Sequence, residues 1–467
     1  MISNNVEQMR KKDVGLGKVR TYNEVVEYLD ALKAYEYSEA SLLRMKELDQ
    51  ALGMPSANKD IILVGGTNGK STTLSFAAKL LTEEGLAVAT AYSSHVLTYN
   101  ERMNVRLETI TNKAFTDLLN EVITIAEGNK IKATAHELML MASVVQAKNE
   151  KVDVLLLEVA YGGKLDAAAY FNAKLASVTR VAEDGRGQLG ADLDQVAFEM
   201  LEIAKAGCWF ISAEQSKIRL QKMKNWCDER KVKWAMPIRK LALLPYIYEQ
   251  LYGRVASLGE RIAQIYVEDI RGKFSPFLRG NLLATQKGQR GRPTLEAKRH
   301  AEQNPVKTLK HFWAEQFGLL HGRFEYLDKE NPCMLLDNAN NLDAFMNLFL
   351  GIRLLHYKKA VKGLVLILGV PKAVNAMEAI KLVRYLMKKV SGQMFFVPLP
   401  GDVACHDVND LAMMAKELNV KAKACASLEE AVSQTKGLVD ERDGLIAISG
   451  SNSLVSAYWA HRGIKKF

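Results

Sequence analysis

Cysteine is scarce in this chain, and long apolar runs are missing. The five cysteines (Cys208, Cys227, Cys333, Cys405 and Cys425) stand far apart with no CxxC pair. That spacing excludes a disulfide framework and a thiolate metal site, and it fits a reducing compartment. No run approaches the ~20 consecutive apolar residues of a membrane span. The N-terminal stretch is interrupted by Lys11, Lys12, Lys18 and Arg20, so it has no signal-peptide core. The protein therefore reads as cytoplasmic, with no membrane partner. Acidic residues are also in short supply: 63 Lys and Arg face 53 Asp and Glu, a net charge of +10. Much of the excess falls in a basic insertion near 270–310, which includes Gln286-Lys287-Gly288-Gln289-Arg290-Gly291-Arg292-Pro293. No interleaved aromatics or binding motif accompany it. The charge is read as serving solubility or an anionic small molecule, and no nucleic-acid partner is expected.

What the chain does carry is Ile61-Ile62-Leu63-Val64-Gly65-Gly66-Thr67-Asn68-Gly69-Lys70-Ser71-Thr72-Thr73. The apolar run predicts a buried parallel strand, and the glycines a tight turn. Leu74, Ala77, Ala78, Leu80 and Leu81 then give the apolar stripe of a helix. Strand, glycine loop and helix N-terminus make an anion site. Backbone N–H groups point inward, the helix dipole favours negative charge, and Lys70 adds a full positive charge. Ser71 stands where a hydroxyl can ligate the Mg²⁺ of a nucleotide. The general phosphate-loop pattern wants its first glycine at Val64, so this loop is one residue tighter.

Strands alternate with helices along the chain. Ala87–Tyr92, Val152–Val159, Leu175–Val181 and Cys208–Ser212 read as further strands. Phe115–Ala126, Ala135–Ala147 and Leu193–Lys205 read as helices. This alternation predicts a doubly wound parallel sheet whose carboxyl-end loops converge on the ligand. Ser93, Glu158 and the loop Glu183–Leu189 then become neighbours of Lys70. Leu243–Ile265 and Thr308–Leu320 look helical. A second α/β unit begins near His321-Gly322, with strands at Met334–Leu336, Gly363–Leu368, Met394–Val397 and Gly444–Ser449. The domains are expected at 1–320 and 321–467.

These loops resemble, one after another, the folylpolyglutamate synthase and dihydrofolate synthase branch of the Mur ligase superfamily. The family's GTNGKGS loop is similar to Gly66-Thr67-Asn68-Gly69-Lys70-Ser71-Thr72. Its Ser-Pro-His-Leu turn and following Glu-Arg resemble Ser93-Ser94-His95-Val96 and Glu101-Arg102. Its LEVGLGGRLDATN resembles Leu157–Ala167, PGRFE resembles His321–Glu325, and DGAHNP resembles Asp337–Leu342. The resemblance implies a Mur-ligase-like phosphate-loop domain followed by a smaller Rossmann-like α/β domain. It also implies an ATP- and Mg²⁺-dependent ligase that adds L-glutamate to a folate or pteroate carboxylate through an acyl phosphate, working as a monomer. By the same resemblance Gly66 to Thr72, Arg323 and Asp337 face the nucleotide. Ser71, Ser93 and Glu158 hold Mg²⁺, and Lys70, Glu158 and His95 serve catalysis.

Some readings stay open at this point. Glu158 could be a solvated carboxylate on the sheet rim, and His95 a turn histidine satisfied by backbone. Lys164 and Asp166 could form a surface ion pair or shape the site. The family's second-metal histidine and lysine fall on Gly185 and Met200, so Asp184, Glu199 or Glu202 would substitute, or one metal would suffice, or the ligase step would be lost. The histidine of DGAHNP is Asn340 here, and the adenine-binding segment corresponds to Glu249–Gly253 without its asparagine. A nucleotide-binding protein without ligase activity, and a Mur-type ligase for another acid and amine, are the alternatives.

Overall fold

The computed structural model describes residues 19–183, 187–238, 244, 246–274, 320–358, 361–401, 403–435 and 437–467. Asp184, Gly185, the basic insertion beyond Phe274, and the helix expected at Thr308–Leu320 apart from Leu320 itself lie outside the described residues.

The first sheet contains β1 (Asp60–Gly65), β2 (Val88–Ala91), β3 (Met103–Val105), β4 (Glu108–Thr109), β5 (Val154–Glu158), β6 (Leu175–Val178), β7 (Trp209–Ser212) and β8 (Lys233–Ala235). Their order is β4-β3-β2-β5-β1-β6-β7-β8. Six strands run parallel, and β3 and β4 add an antiparallel margin beside β2. β1 lies between β5 and β6, with later strands laid down on both of its sides. Its carboxyl end is therefore the topological switch point, where open α/β sheets bind their ligands. The register sets Val64 opposite both Glu158 and Ser177, so the tips of three strands open onto one place.

Helices cover both faces of this sheet. The helix Lys70–Glu83 follows the glycine loop and is buried from Ser71 to Leu81. It packs against the helix Tyr246–Gln264, and the approach is close because Gly259 has no side chain. A Cβ there would stand 2.7 Å from Phe76 Cδ1. On the opposite face the helices Asn112–Gly128 and Ala135–Asn149 pack with Glu39–Ala51. A half-buried ion pair fastens the last two: Arg44 donates to the buried Glu137 at 2.8 Å, and Ser41 Oγ donates to the same carboxylate at 2.6 Å.

The second sheet contains β9 (Glu325–Leu327), β10 (Cys333–Asp337), β11 (Leu364–Leu368), β12 (Gly392–Phe396), β13 (Ala422–Ala424) and β14 (Leu445–Ser449). Their order is β13-β12-β11-β14-β10-β9, parallel except for β9. The strands read from apolar runs are all present. Those missed (β3, β4, β8, β9 and β13) have two or three residues each and leave no periodic signal. The helix expected to reach Lys205 ends at Leu201. No helix among the described residues is long and apolar enough to cross a membrane.

Candidate active site

The loop after β1 takes its shape from two glycines. Gly66 has φ +121°, and a Cβ there would lie 2.1 Å from Thr179 Oγ1. Gly69 has φ +86° and leads into the helix that starts at Lys70. The strand-end residues of β6 hold the loop from the side. Thr67 donates its N–H to the Arg180 carbonyl at 2.8 Å, and Thr179 Oγ1 donates to the Asn68 carbonyl at 2.7 Å. Lys70 Nζ folds back over the loop and donates to the Gly66 carbonyl at 2.9 Å. The outcome is a cradle of backbone N–H groups at a helix N-terminus with an ammonium beside it.

Thr67 to Thr72, Ser93, Glu158, Arg323 and Asp337 line one cavity of about 610 Å³. Ten sequence-selected residues thus meet at one place. Gly66 lines an adjoining cavity with Lys70 and Asn341. Ser93 Oγ donates to Glu158 Oε1 at 2.8 Å, while Glu158 Oε2 is buried and accepts no hydrogen bond. A buried carboxylate oxygen without a donor is costly unless a cation completes it. The hard oxygens of Glu158, Ser93 and Ser71, with phosphate oxygens and water, fit Mg²⁺. No cluster of three or more His, Cys, Asp and Glu that could hold a metal exists among the described residues. The fit is therefore to an ion shared with a bound phosphate group. The reading of Glu158 as a solvated rim group is overturned, since only 3% of it is exposed.

The second sheet closes the cavity from above. Arg323 Nη2 donates to Ser71 Oγ at 2.9 Å and Nη1 to the His321 carbonyl at 3.1 Å. Asp337, at the tip of β10, accepts the N–H groups of Phe324 and Ala339 at 2.7 and 2.8 Å. Burial pushes its pKa up to about 6 against the opposing pull of those N–H groups and Arg323. Three further contacts cross between the sheets. Asn68 and Asn341 exchange amide hydrogen bonds at 3.0 Å, Asn68 donates to Asp343 at 2.8 Å, and Arg180 pairs with Asp343 at 2.7 Å. Arg180 and Asp343 escaped the sequence reading, because nothing in one sequence marks a pair 163 positions apart. The helix Tyr246–Gln264 supplies Gln250, Tyr252 and Arg254 to the wall, so the segment aligned with the adenine-binding motif does reach the cavity.

Two expectations need correction in placement. His95 lines neither cavity beside Lys70. Its Nδ1 accepts from Arg102 Nε at 2.8 Å, and its ring packs on Tyr99. Burial, helped by Arg102, pulls its pKa down to about 3, so the ring is neutral at physiological pH. Asp166 is not part of a surface ion pair. It is fully buried, caps the turn Ala167–Tyr170, and accepts from Tyr35 Oη and the N–H groups of Tyr161 and Ala168. Met200 is buried beside Lys70 and Tyr161, where its thioether is a poor ligand for a hard cation. Glu199 is already bonded by the Tyr37 hydroxyl.

Buried titratable groups here predict an unusual acid limb of stability. His95 (about 3) and His136 (about 4) are depressed mainly by burial, so their contribution is present above about pH 6.5 and is lost as pH falls. Asp166 and Asp337 are raised to about 6, so they take up protons on folding and restore stability as pH falls from 6 toward 4. Thermal unfolding should show a midpoint that drops from pH 7 to 6 and then flattens. His136→Gln should remove part of the first drop. A fall that steepens below pH 6 would contradict this balance.

No family model matches the chain. It is 29% identical over 199 residues to the dihydrofolate synthase/folylpolyglutamate synthase of Haemophilus influenzae, covering 42% of this chain and 45% of that one. It is 27% identical over 309 residues to the Bacillus subtilis protein of the same name, covering 64% and 68%. The match thus spans under half the length of the first relative. The crystal structure of bifunctional folylpolyglutamate synthase/dihydrofolate synthase from Yersinia pestis, complexed with AMPPNP and a Mn ion, superposes with a TM-score of 0.69 at 22% identity. That superposition covers 95% of this chain and 98% of the other.

Proposed function

We propose, for a chain that belongs to the dihydrofolate synthase/folylpolyglutamate synthase family, that it is an ATP-dependent carbon–nitrogen ligase joining L-glutamate to a folate or pteroate carboxylate. The observation that carries this reading is the placement of the buried, donor-less Glu158 Oε2 next to a glycine loop crowned by Lys70. An acid placed so serves a cation shared with a triphosphate. Two strand tips and a second domain then surround the reacting phosphoryl group.

In this reading the loop N–H groups and Lys70 bind and orient the phosphates. Transfer of the γ-phosphoryl group to the substrate carboxylate gives an acyl phosphate and ADP. Attack by the glutamate amine on the acyl carbon then expels phosphate. Mg²⁺, when bound through Glu158, Ser93 and Ser71, supplies charge neutralisation of the phosphate oxygens. Arg323 reaches in from the second domain at Ser71, where negative charge develops during transfer. Asn68, Asn341, Asp343 and Arg180 hold the two domains, proposed at 1–320 and 321–467, in register around it. Excluding water at this closure protects the acyl phosphate from hydrolysis. The five free cysteines and the monomeric reading fit a cytoplasmic enzyme.

Incubation with ATP, Mg²⁺, a reduced folate and L-glutamate should release phosphate, and omission of either organic substrate should stop it. Release with another acid and amine only would favour a different Mur-type specificity. Nucleotide binding without turnover on any acid would favour a binding protein that has lost the ligase step, a reading favoured by the buried Met200 beside Lys70, whose thioether is a poor ligand for a hard cation.

A further inference from the structure

Arg323 is the cation that the second domain brings to the phosphate loop, and it stands at the end of a turn, Leu320-His321-Gly322-Arg323, that leads into β9. Gly322 has φ +68°, and a Cβ there would stand 3.2 Å from Val455 and 3.4 Å from Val96. Backbone bonds fix the turn: Arg323 donates its N–H to the Leu320 carbonyl at 3.3 Å, and Asn338 donates its N–H to the Gly322 carbonyl at 2.7 Å. From the first domain, the Tyr252 hydroxyl donates to the Arg323 carbonyl at 3.2 Å. The guanidinium is aimed by the His321 carbonyl, which takes Nη1 at 3.1 Å. That leaves Nη2 to Ser71 Oγ at 2.9 Å, with Ser94 Oγ at 3.5 Å.

His321 is itself held from three sides. Its Nδ1 donates to Glu325 Oε1 at 2.7 Å while Glu325 Oε2 accepts the Gly322 N–H at 2.9 Å, so one carboxylate ties ring and turn together. Phe467 stacks on the ring with centroids 3.4 Å apart and planes 11° apart, and Trp459 stands edge-on to both. A reversal after the helix Asn452–His461 brings Phe467 here. Gly463 has φ +77°, Ile464 donates its N–H to the Trp459 carbonyl at 2.9 Å, and Arg462 forks onto Glu330 at 3.0 and 3.1 Å. His321 and Phe467 line a second cavity of about 940 Å³, which shares the wall made by Ser94 and Arg323 with the nucleotide cavity. The PGRFE motif that this turn resembles has proline at the position of His321. A proline holds its φ through its own ring, whereas a histidine has to be held from outside.

Building on the ligase reading, we infer that His321 and Phe467 are positioning residues for Arg323. Ring and peptide of His321 share one Cα, so a ring locked between Phe467 and Glu325 limits rotation of the peptide. The carbonyl then stays presented to Nη1, and Nη2 stays aimed at Ser71. An arginine side chain has many rotamers. Ordering it beforehand spares that cost when charge develops on the transferred phosphoryl group. Phe467 lines no part of the nucleotide cavity, so its effect on turnover passes through Arg323.

Phe467 is 45% exposed, so Phe467→Ala should fold with a nearly unchanged melting temperature. One aromatic stack at its usual strength gives a loss of about twofold to tenfold in kcat for phosphate release, with the KM for ATP held within about twofold. Phe467→Tyr keeps the ring face and should restore the wild-type value. In an Arg323→Ala background the same Phe467→Ala change should cost nothing more, because the group it positions is gone. Phenylglyoxal, which modifies free guanidinium groups, gives a reading that needs no turnover. By peptide mass spectrometry of the ligand-free chain, Arg323 should react about twofold to tenfold faster in Phe467→Ala than in the wild type. The exposed Arg106 should react equally in both. An equal loss of kcat in the two backgrounds, or an unchanged Arg323 reactivity, overturns the assignment. A wild type that releases no phosphate would sink the ligase reading, and the reactivity of Arg323 would still decide whether the stack positions it.

Discussion

Glu158→Gln is expected to lower phosphate release by about 10²–10³-fold while leaving the melting temperature of the ligand-free protein nearly unchanged. The two halves of that expectation come from the two oxygens. Oε1 accepts the Ser93 hydroxyl at 2.8 Å, a bond that a glutamine carbonyl reproduces. Oε2 is buried and has no donor, so ionisation there has a desolvation cost that the neutral amide avoids. Against this gain stands the lost attraction to Arg102, which is buried nearby and feels the Glu158 charge. The two effects oppose each other and leave a small remainder. A carboxylate present for stability alone would behave differently, since breaking a buried ion pair costs about 3–5 kcal/mol. Adding Mg²⁺ with ATP should raise the melting temperature of the wild type and not of the variant, because only a ligand that binds the folded state shifts it. A variant that loses several degrees without ligand, and still responds to Mg²⁺-ATP, would reassign Glu158 to the fold.

The parts of the site legible in the sequence are those built from one continuous stretch. β1, its glycine loop and the helix from Lys70 could be read because apolar run, turn and helical stripe follow each other without a gap. Glu158 and Ser93 could be placed beside them by one further step, the rule that parallel strands end on the same side. The register bears this out, with Val64 opposite Glu158. Legibility fails where side chains fold back on their own surroundings. Asp166 stands two residues from Lys164 and invites a surface pair, yet its oxygens are taken by Tyr35 and two backbone N–H groups. His95 lies one residue from Ser94 on the shared wall, yet Arg102 draws its ring into the interior. Neither outcome has a periodic signature, because each depends on a partner set by tertiary packing. The pins between sheets are hidden for the same reason. Asn68 and Asn341 were both within motifs, but only the fold brings their amides to 3.0 Å.

Lys70→Ala should weaken ATP binding by about 10- to 100-fold and lower turnover by at least about 10³-fold. The ammonium does two things that alanine cannot. It donates to the carbonyls of Gly66 and Thr67 at 2.9 and 3.4 Å, which turns those oxygens away from the anion that the loop is built to receive. It also places a full charge at the first residue of a helix, where the dipole already favours phosphate. Removing it leaves two carbonyl dipoles free to face the triphosphate, so repulsion is added to the lost attraction. The fold should survive, because Gly66, Thr67 and Asn68 remain held by the hydrogen bonds from Thr67 and Thr179 to neighbouring backbone. Lys70→Arg separates charge from shape. A guanidinium keeps the charge but is too broad to bridge the two carbonyls as a single nitrogen does, so it should recover part of the binding and little of the turnover. Equilibrium titration with ATP, alongside phosphate release, checks both variants. Unchanged ATP affinity in the alanine variant would move the triphosphate away from this loop, and with it the role assigned to every residue around the cavity.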